Sequence, residues 1–467
     1  MKKRKKAFFN VILKAALVLV LLLSFSMCSF EPEVAKDAVE LVFSADTIQF
    51  DTLFTGRQSI TKRLKIINPN NEAVLIEKIE LTDNARQFKL IINGEESQTF
   101  SDELLFGNDS LLVLLKATID QSDINNPFVL RDMLAIENKG RSQSVIIEAW
   151  GQNAHFLNDS IISENQTWIA DKPYVISNSI LIDSSAKLTI KEGVKIYSSL
   201  DSYIFVQGKM AVSGKADSLV TFTNDRLDEP FASTVGQWGG IVFLAPSTGN
   251  SIKFATITNS IVGLNLTTYS PDGVMDLTVE NTSIGNTSSA AILCLNSDFE
   301  ATNSLFYNTV GGTVAHVGGG TANYVHCTIA NYFPAQRDAP AAYFADYAID
   351  NNGVEIIAPM NVSLVNSIFY GRNDEEILFF EFIENNIRLT YSHNIFKTNQ
   401  DILSFNNSLI NEDPEFLNTA SDNFSLEEGS PARNSATNTG LMIDIQGILR
   451  NDTPDIGAFE FRAEEEN

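Results

Sequence analysis

Five versions of one phrase recur in the middle of the chain: Phe254-Ala-Thr-Ile-Thr-Asn259-Ser-Ile-Val, Leu277-Thr-Val-Glu-Asn281-Thr-Ser-Ile, Phe299-Glu-Ala-Thr-Asn303-Ser-Leu-Phe, Tyr324-Val-His326-Cys-Thr-Ile and Leu364-Val-Asn366-Ser-Ile-Phe. The first three intervals are 22, 22 and 23 residues. Each copy is a short β-rich run that meets an Asn or His and restarts in a β-branched or apolar residue. A fixed period of that size signals stacked units that bury a shared core no single unit could bury. Asn259, Asn281, Asn303, His326 and Asn366 then stand at one phase of successive turns, and His393 joins them. Their donors and acceptors can bond rung to rung, which makes this column a structural ladder before it is anything else.

Upstream of the repeat the pattern has the same character. Ile180-Leu-Ile182, Leu188-Thr-Ile190, Val194-Lys-Ile196, Ile204-Phe-Val206, Met210-Ala-Val212 and Val220-Thr-Phe222 are apolar-x-apolar triplets, with Gly193, Gly208 and Gly214 between them. Such short strands suit a coil of parallel strands in which the rest of each turn supplies the crossover. From His326 to Asn366 the interval is 40 residues. About 18 residues are therefore inserted, within about 331–360, and inserts in repeat proteins map to one face and mark binding sides.

The chain before Phe156 has a different rhythm. Runs such as Arg63-Leu-Lys-Ile-Ile, Ala73-Val-Leu-Ile-Glu-Lys-Ile-Glu-Leu81 and Ser110-Leu-Leu-Val-Leu-Leu alternate and end at turn residues. About seven short strands over 41–155 predict an antiparallel sandwich. Residues 29–40 are acidic and aperiodic, as a tether would be. Before them stands Met1-Lys-Lys-Arg-Lys-Lys6, then Ala15 to Met27 without a charge, then Cys28. That apolar run is too short for a membrane span and fits the core of a secretory signal.

Three resemblances follow from these residues. A cysteine closing a signal segment resembles the lipobox of bacterial lipoproteins, which implies a signal peptide over 1–28 and a lipid on Cys28. The usual small residue before the cysteine is replaced by Met27. The segment 41–155 resembles the immunoglobulin-like domains near the N-terminus of many Gram-negative surface lipoproteins. The ending is the most specific: Asp413-Pro-Glu-Phe416, Gly429-Ser-Pro-Ala432, Asp444-Ile-Gln-Gly447-Ile-Leu-Arg450 and Asp455-Ile-Gly-Ala-Phe-Glu460. It resembles the close of secreted right-handed parallel β-helix proteins. The expected architecture is thus all-β: an immunoglobulin-like β-sandwich, then a right-handed parallel β-helix over 156–461. A cap over about 411–461 would cover the open end of the coil, and 462–467 would be a disordered tail.

Charge narrows the partners. There are 33 Lys and Arg against 58 Asp and Glu, a formal charge of −25. Removing the six basic residues of the first 27 positions leaves 27 against 58, or −31. Such an excess argues against nucleic acid. Cys294 and Cys327 lie one and a half repeats apart and are expected as buried free thiols.

Carbohydrate chemistry is what enzymes of the resembled fold perform, with acidic clusters for Ca²⁺ or paired acids for hydrolysis. The chain has no Asp-Asp pair and no His-Gly. Its acidic clusters are Asp225, Asp228 and Glu229, shortly before Trp238, and Asp374-Glu-Glu376. Either could hold Ca²⁺ through carboxylate oxygens, and Asp225 with Glu229 could act as general acid and base. A solvated turn on an acidic protein is the plainer reading. Tyr332, Arg337, Asp338, Tyr343 and Tyr347 of the insertion complete the candidate ligand-binding residues, against the alternative that they pack back on the coil. No serine triad, phosphate loop or zinc spacing is present. The expectation is an outer-membrane, lipid-anchored, non-catalytic binding or structural protein without a cofactor, whose partner is a glycan or another envelope protein. A polysaccharide lyase or glycosidase is the alternative.

Overall fold

The structure is a computed structural model that describes residues 32–83, 86–121, 127–269, 274–401 and 406–463. Cys28 and the signal segment lie outside the described residues, as do 464–467 of the expected tail. Among the described residues no helix is long and apolar enough to cross a membrane. The chain divides into two compact units, with the break after Gln152.

The first unit is a two-sheet sandwich. One five-stranded sheet has the order Val42–Phe43, Lys62–Ile67, Ser110–Ala117, Phe88–Ile92, Glu95–Ser97. The other has the order Thr47–Phe54, Arg141–Gln152, Phe128–Asn138, Val74–Leu81, Thr99–Leu105. Ten strands replace the seven expected, because short edge strands such as Val42–Phe43 and Glu95–Ser97 are too brief to show alternation. Inward residues of both sheets, among them Phe50, Leu64, Ile79, Phe88, Leu115 and Ile147, make one core. Part of the segment read as a tether is docked here. Val34 bridges Ala73, and Val39 exchanges hydrogen bonds with the Asn138 side chain at 2.9 and 3.1 Å.

In the second unit, 25 strands form one continuous sheet, every pairing between named strands within it being parallel. The sheet winds into three faces, which is the expected β-helix. The first face holds Lys187–Lys191, Lys209–Ser213, Asn250–Lys253, Leu277–Glu280, the second halves of Ala290–Thr302 and Val314–Val325, Met360–Val365 and Ile387–Ser392. The second runs from Lys195–Ser198 through Val220–Asn224 and Ser283–Thr287 to Ile395–Phe396. The third runs from Tyr203–Val206 through Gly240–Leu244 and Val262–Thr267 to Ala342–Ala345 and Ile377–Phe380. The inward member of each apolar triplet stacks on its equivalent in the next turn. The coil interior is therefore a single apolar column, with Phe222, Phe243, Phe299, Phe306 and Phe369 fully buried. Cys294 and Cys327 are free and buried, as expected.

The repeating Asn has a backbone cause. Asn281, Asn303, His326, Asn366 and His393 all take φ between 45° and 53° at the corner from first to second face. A single left-handed residue turns the strand there, and Asn tolerates that conformation better than other residues with a side chain. Asn259 is a correction: it turns the next corner, from second to third face, left-handed like Asn286 and Asn308, with Asn224 at the same register on the turn before. Its Nδ2 donates to Asn224 Oδ1 at 2.7 Å, and Asn286 Nδ2 donates to Asn259 Oδ1 at 2.6 Å. The equivalent of Asn259 at the first corner is Phe254, also left-handed at φ 50°. Two corners carry the same residue type for the same backbone reason, which is why a 22-residue interval can join different columns.

The C-terminal segment differs from expectation. It does not close the end of the coil but folds back along its side, over the outer surface of the second face. Phe416, Phe424, Ile456, Ala458 and Phe459 cover Leu305, Tyr307, Ile368 and Tyr370. The Asn column receives its backbone: Asn281 Nδ2 donates to Asp444 O at 2.6 Å, Asn303 Nδ2 to Ile443 O at 2.8 Å, and Asn366 Nδ2 to Thr437 O at 2.7 Å. Gly457 explains the Asp-Ile-Gly-Ala-Phe motif. Its φ is 102°, and a Cβ there would meet Ile368 Cδ1 and Thr328 Oγ1 at 2.8 Å. Arg450 and Glu460, both buried, join at 3.2 Å and lock the return.

Candidate functional site

The loop 225–239 enters the third face and holds four of the expected ligand residues. Trp238 is fully buried in the coil, and its Nε1 donates to Thr258 O at 2.8 Å. It is a core residue and offers no surface to a ligand. Arg226 grips Asp228 with two bonds of 2.8 Å and lies 3.8 Å above the centre of the Phe231 ring. The Asp228 carboxylate holds the Arg226 guanidinium above its ordinary range. Asp225 accepts a bond from Ser199 Oγ at 2.5 Å, and Glu229 one from Ser233 Oγ at 3.3 Å. These carboxylates shape their loop, each with its own partner.

The second cluster is likewise occupied. Arg337 and Glu376, both buried, pair at 2.5 Å. Glu376 also accepts from the Ala341 and Asn373 amides at 2.8 Å each. Burial raises the Glu376 carboxyl above its ordinary range, and the Arg337 charge offsets this only in part. Arg337 therefore fastens the loop 332–341 to the corner and is not free to meet a ligand. Glu375 is bonded to Thr398 Oγ1 and accepts the Asn399 amide at 3.0 Å. Among the described residues no group of three His, Cys, Asp or Glu is placed to hold a metal ion. Tyr332 lies under the C-terminal segment, with Phe416 and Phe424 each 6.2 Å away, and burial raises its phenol.

The extra chain of the insertion divides in two. One part is the loop 332–341. The other is a hairpin, Tyr347–Ile349 with Glu355–Ile357, placed between Ala342–Ala345 and Met360–Val365. Between the two parts the chain returns to the third face, and here the structure builds a surface. Phe344 and Phe379 point inward and stack at 5.1 Å, continuing an interior aromatic column through His316. Their neighbours therefore point outward: Tyr343 against Leu378, and Ala345 against Phe380 on the next turn. Two residues beyond Ala345 and Phe380, where the chain has left both strands, Tyr347 stacks on Phe382 at 4.7 Å and 22°. Phe380 and Phe382 are exposed, while Tyr343 and Tyr347 are half-buried.

This patch is held from below by Asp346. Its carboxylate accepts from the Phe382 amide at 2.6 Å, the Ile383 amide at 3.0 Å and Asn386 Nδ2 at 2.8 Å. Burial works to raise that carboxyl, but the amides of Phe382 and Ile383 and the Asn386 side chain outweigh it and hold the group below its ordinary range. The loop 381–386 is thus tied to the hairpin by a charge with three donors, the stronger class of hydrogen bond.

Of the expected residues, Tyr343 and Tyr347 come together in one place, and Asp338 stays exposed on the loop 332–341. Phe380 and Phe382 did not figure among the expected residues. Their signal was Leu378-Phe-Phe-Glu-Phe382, an aromatic run that leaves the strand Ile377–Phe380 with Phe380 and Phe382 two residues apart.

A family model for a pectate-lyase-like β-helix domain matches residues 160–269. No curated protein matches the chain. Among solved structures, the PapD-like domain 7 of human CEP192 is 13% identical, with 26% of this chain and 91% of that one covered, at a TM-score of 0.18. The E. coli chaperone DraB is 13% identical, with 26% and 57% covered, at 0.18. A family 123 glycoside hydrolase from Clostridium perfringens is 10% identical, with 26% of each chain covered, at 0.18. The wound parallel sheet and the family match over 160–269 together make this chain a β-helix repeat protein.

Proposed function

We propose that this is an exported, non-catalytic glycan-binding protein of the cell envelope, held to the outer membrane by a lipid on Cys28. The immunoglobulin-like sandwich serves as a spacer and the β-helix as a rigid presenting surface. One observation carries the reading: Tyr343, Tyr347, Phe380 and Phe382 share one outward surface on adjacent turns, backed by a packed aromatic column. Aromatic faces carry negative charge density and attract the weakly positive C–H faces of sugar rings, and a rigid backing removes the ordering cost of binding. Retardation of the mature protein in gels that contain single polysaccharides, without release of sugar ends and weakened in Tyr347→Ala, is the expected result. Equal mobility in every gel would refute it. For the anchor, Cys28→Ala should free the protein from membranes, and continued membrane binding would remove the lipid assignment.

The family match over 160–269 supports a second reading, a polysaccharide lyase or glycosidase working beside the loop 225–239. Turnover of a polysaccharide that is lost in Asp225→Ala or Glu229→Ala would establish it over the first.

A further inference from the structure

We propose that the aromatic patch takes an uncharged polysaccharide and that its surroundings reject polyuronates. This rests on the glycan-binding reading and adds the charge class of the ligand. The patch lies on the third face, and four loops that enter or leave its two strands bound it: 331–341, 346–359, 371–376 and 381–386. Together they carry nine Asp and Glu against two Arg and no Lys.

Arg337 is buried against Glu376, and the exposed Arg372, whose Nη1 donates to Pro334 O at 3.4 Å, is followed in its loop by Asp374 and Glu375. Glu355 accepts the Tyr347 hydroxyl at 3.3 Å, and Glu381 accepts the Ile387 amide at 2.9 Å, so carboxylates flank the Tyr347–Phe382 stack itself. A polymer with a carboxylate on each sugar would bring like charge into a field in which acidic residues outnumber arginines by nine to two. A neutral pyranose meets none of that cost. It offers C–H faces to the rings and hydroxyl donors to the carboxylates around them. The fold's match is to a pectate-lyase-like domain, yet the match ends at residue 269, before the strands that carry the patch.

The test uses the mature protein in gels that contain xyloglucan, mixed-linkage β-glucan or galactomannan, or polygalacturonate or alginate, with EDTA and again with Ca²⁺. Retention by a neutral polymer in EDTA, unchanged by Ca²⁺, is expected. Phe382→Ala should weaken it about tenfold, the size of one lost aromatic contact. Retention by a polyuronate alone, with or without Ca²⁺ and lost in Phe382→Ala, would overturn the charge assignment while the glycan reading stands. Retention by no polysaccharide overturns both.

Discussion

Asn366 Nδ2 stands 2.7 Å from His326 Nε2 across two neighbouring turns of the coil. The amide donates, so that ring nitrogen must accept, and His326 is held as the neutral imidazole. Burial first, and then the Arg450 charge, lower its pKa to about 3. His316, buried and 2.7 Å from the Tyr324 hydroxyl, is lowered to about 3 by burial.

These two rings make acid costly to the fold. The unfolded chain takes up a proton on each near pH 6.5, roughly the free histidine value, while the folded chain does so only near 3. Their contribution is complete above the unfolded value and falls away as the pH drops toward the folded one. The slope is about 1.4 kcal/mol per pH unit for each ring. Buried Glu376 and Glu460, raised mainly by burial, act in the opposite sense. Comparison with His326→Asn isolates one ring, since Asn keeps the left-handed corner. Urea unfolding between pH 6.5 and 4.5 should show a dependence shallower by one ring's share. An unchanged slope would mean that His326 is protonated in the folded coil.

The Arg337–Glu376 pair should matter to stability rather than to binding. Glu376→Ala leaves a buried guanidinium unpaired, a loss of about 3–5 kcal/mol. Replacing both residues by Met should cost less than the two single changes together. Denaturant titrations of the four proteins in the cycle measure this. A loss below about 1 kcal/mol for Glu376→Ala would place the pair in solvent.

Trp238 separates core from ligand surface. Trp238→Ala should cost about 3–5 kcal/mol as a cavity in the coil. Trp238→Phe should fold and keep any polysaccharide retention. Loss of retention in a folded Trp238→Phe protein would return this residue to the binding surface.

The architecture was legible because backbone constraint and core burial both leave a periodic mark. Asn281, Asn303 and Asn366 are visible as a left-handed corner, and Ile180-Leu-Ile182 and its successors as inward–outward alternation. What period cannot convey is which corner an Asn turns, so Asn259 was placed one corner away from its true column. Trp238 and Arg337 looked like ligand residues because type alone does not reveal burial. Phe380 and Phe382 leave no periodic mark, because Phe380 meets Ala345 and Phe382 meets Tyr347 only after the chain has gone once around the coil. The same limit hid the C-terminal return, whose contacts run from Asp444 to Asn281 and from Thr437 to Asn366.

The two core thiols should be inert. Burial pushes Cys327 up to about 12 and raises Cys294 as well, which removes the reactive thiolate. Iodoacetamide at pH 8, followed by peptide mass spectrometry, should label neither in the folded protein and both in denaturant. Labelling of either in the folded state would show that the coil opens there.

Hydrogen–deuterium exchange of the mature protein, with and without a neutral polysaccharide that retards it, tests the binding surface most directly. Slowed exchange is predicted in 343–347 and 378–383, with the loop 225–239 and the outer surface of the first face unchanged. Protection confined to 225–239, with 343–347 and 378–383 unaffected, would contradict the aromatic patch as the site.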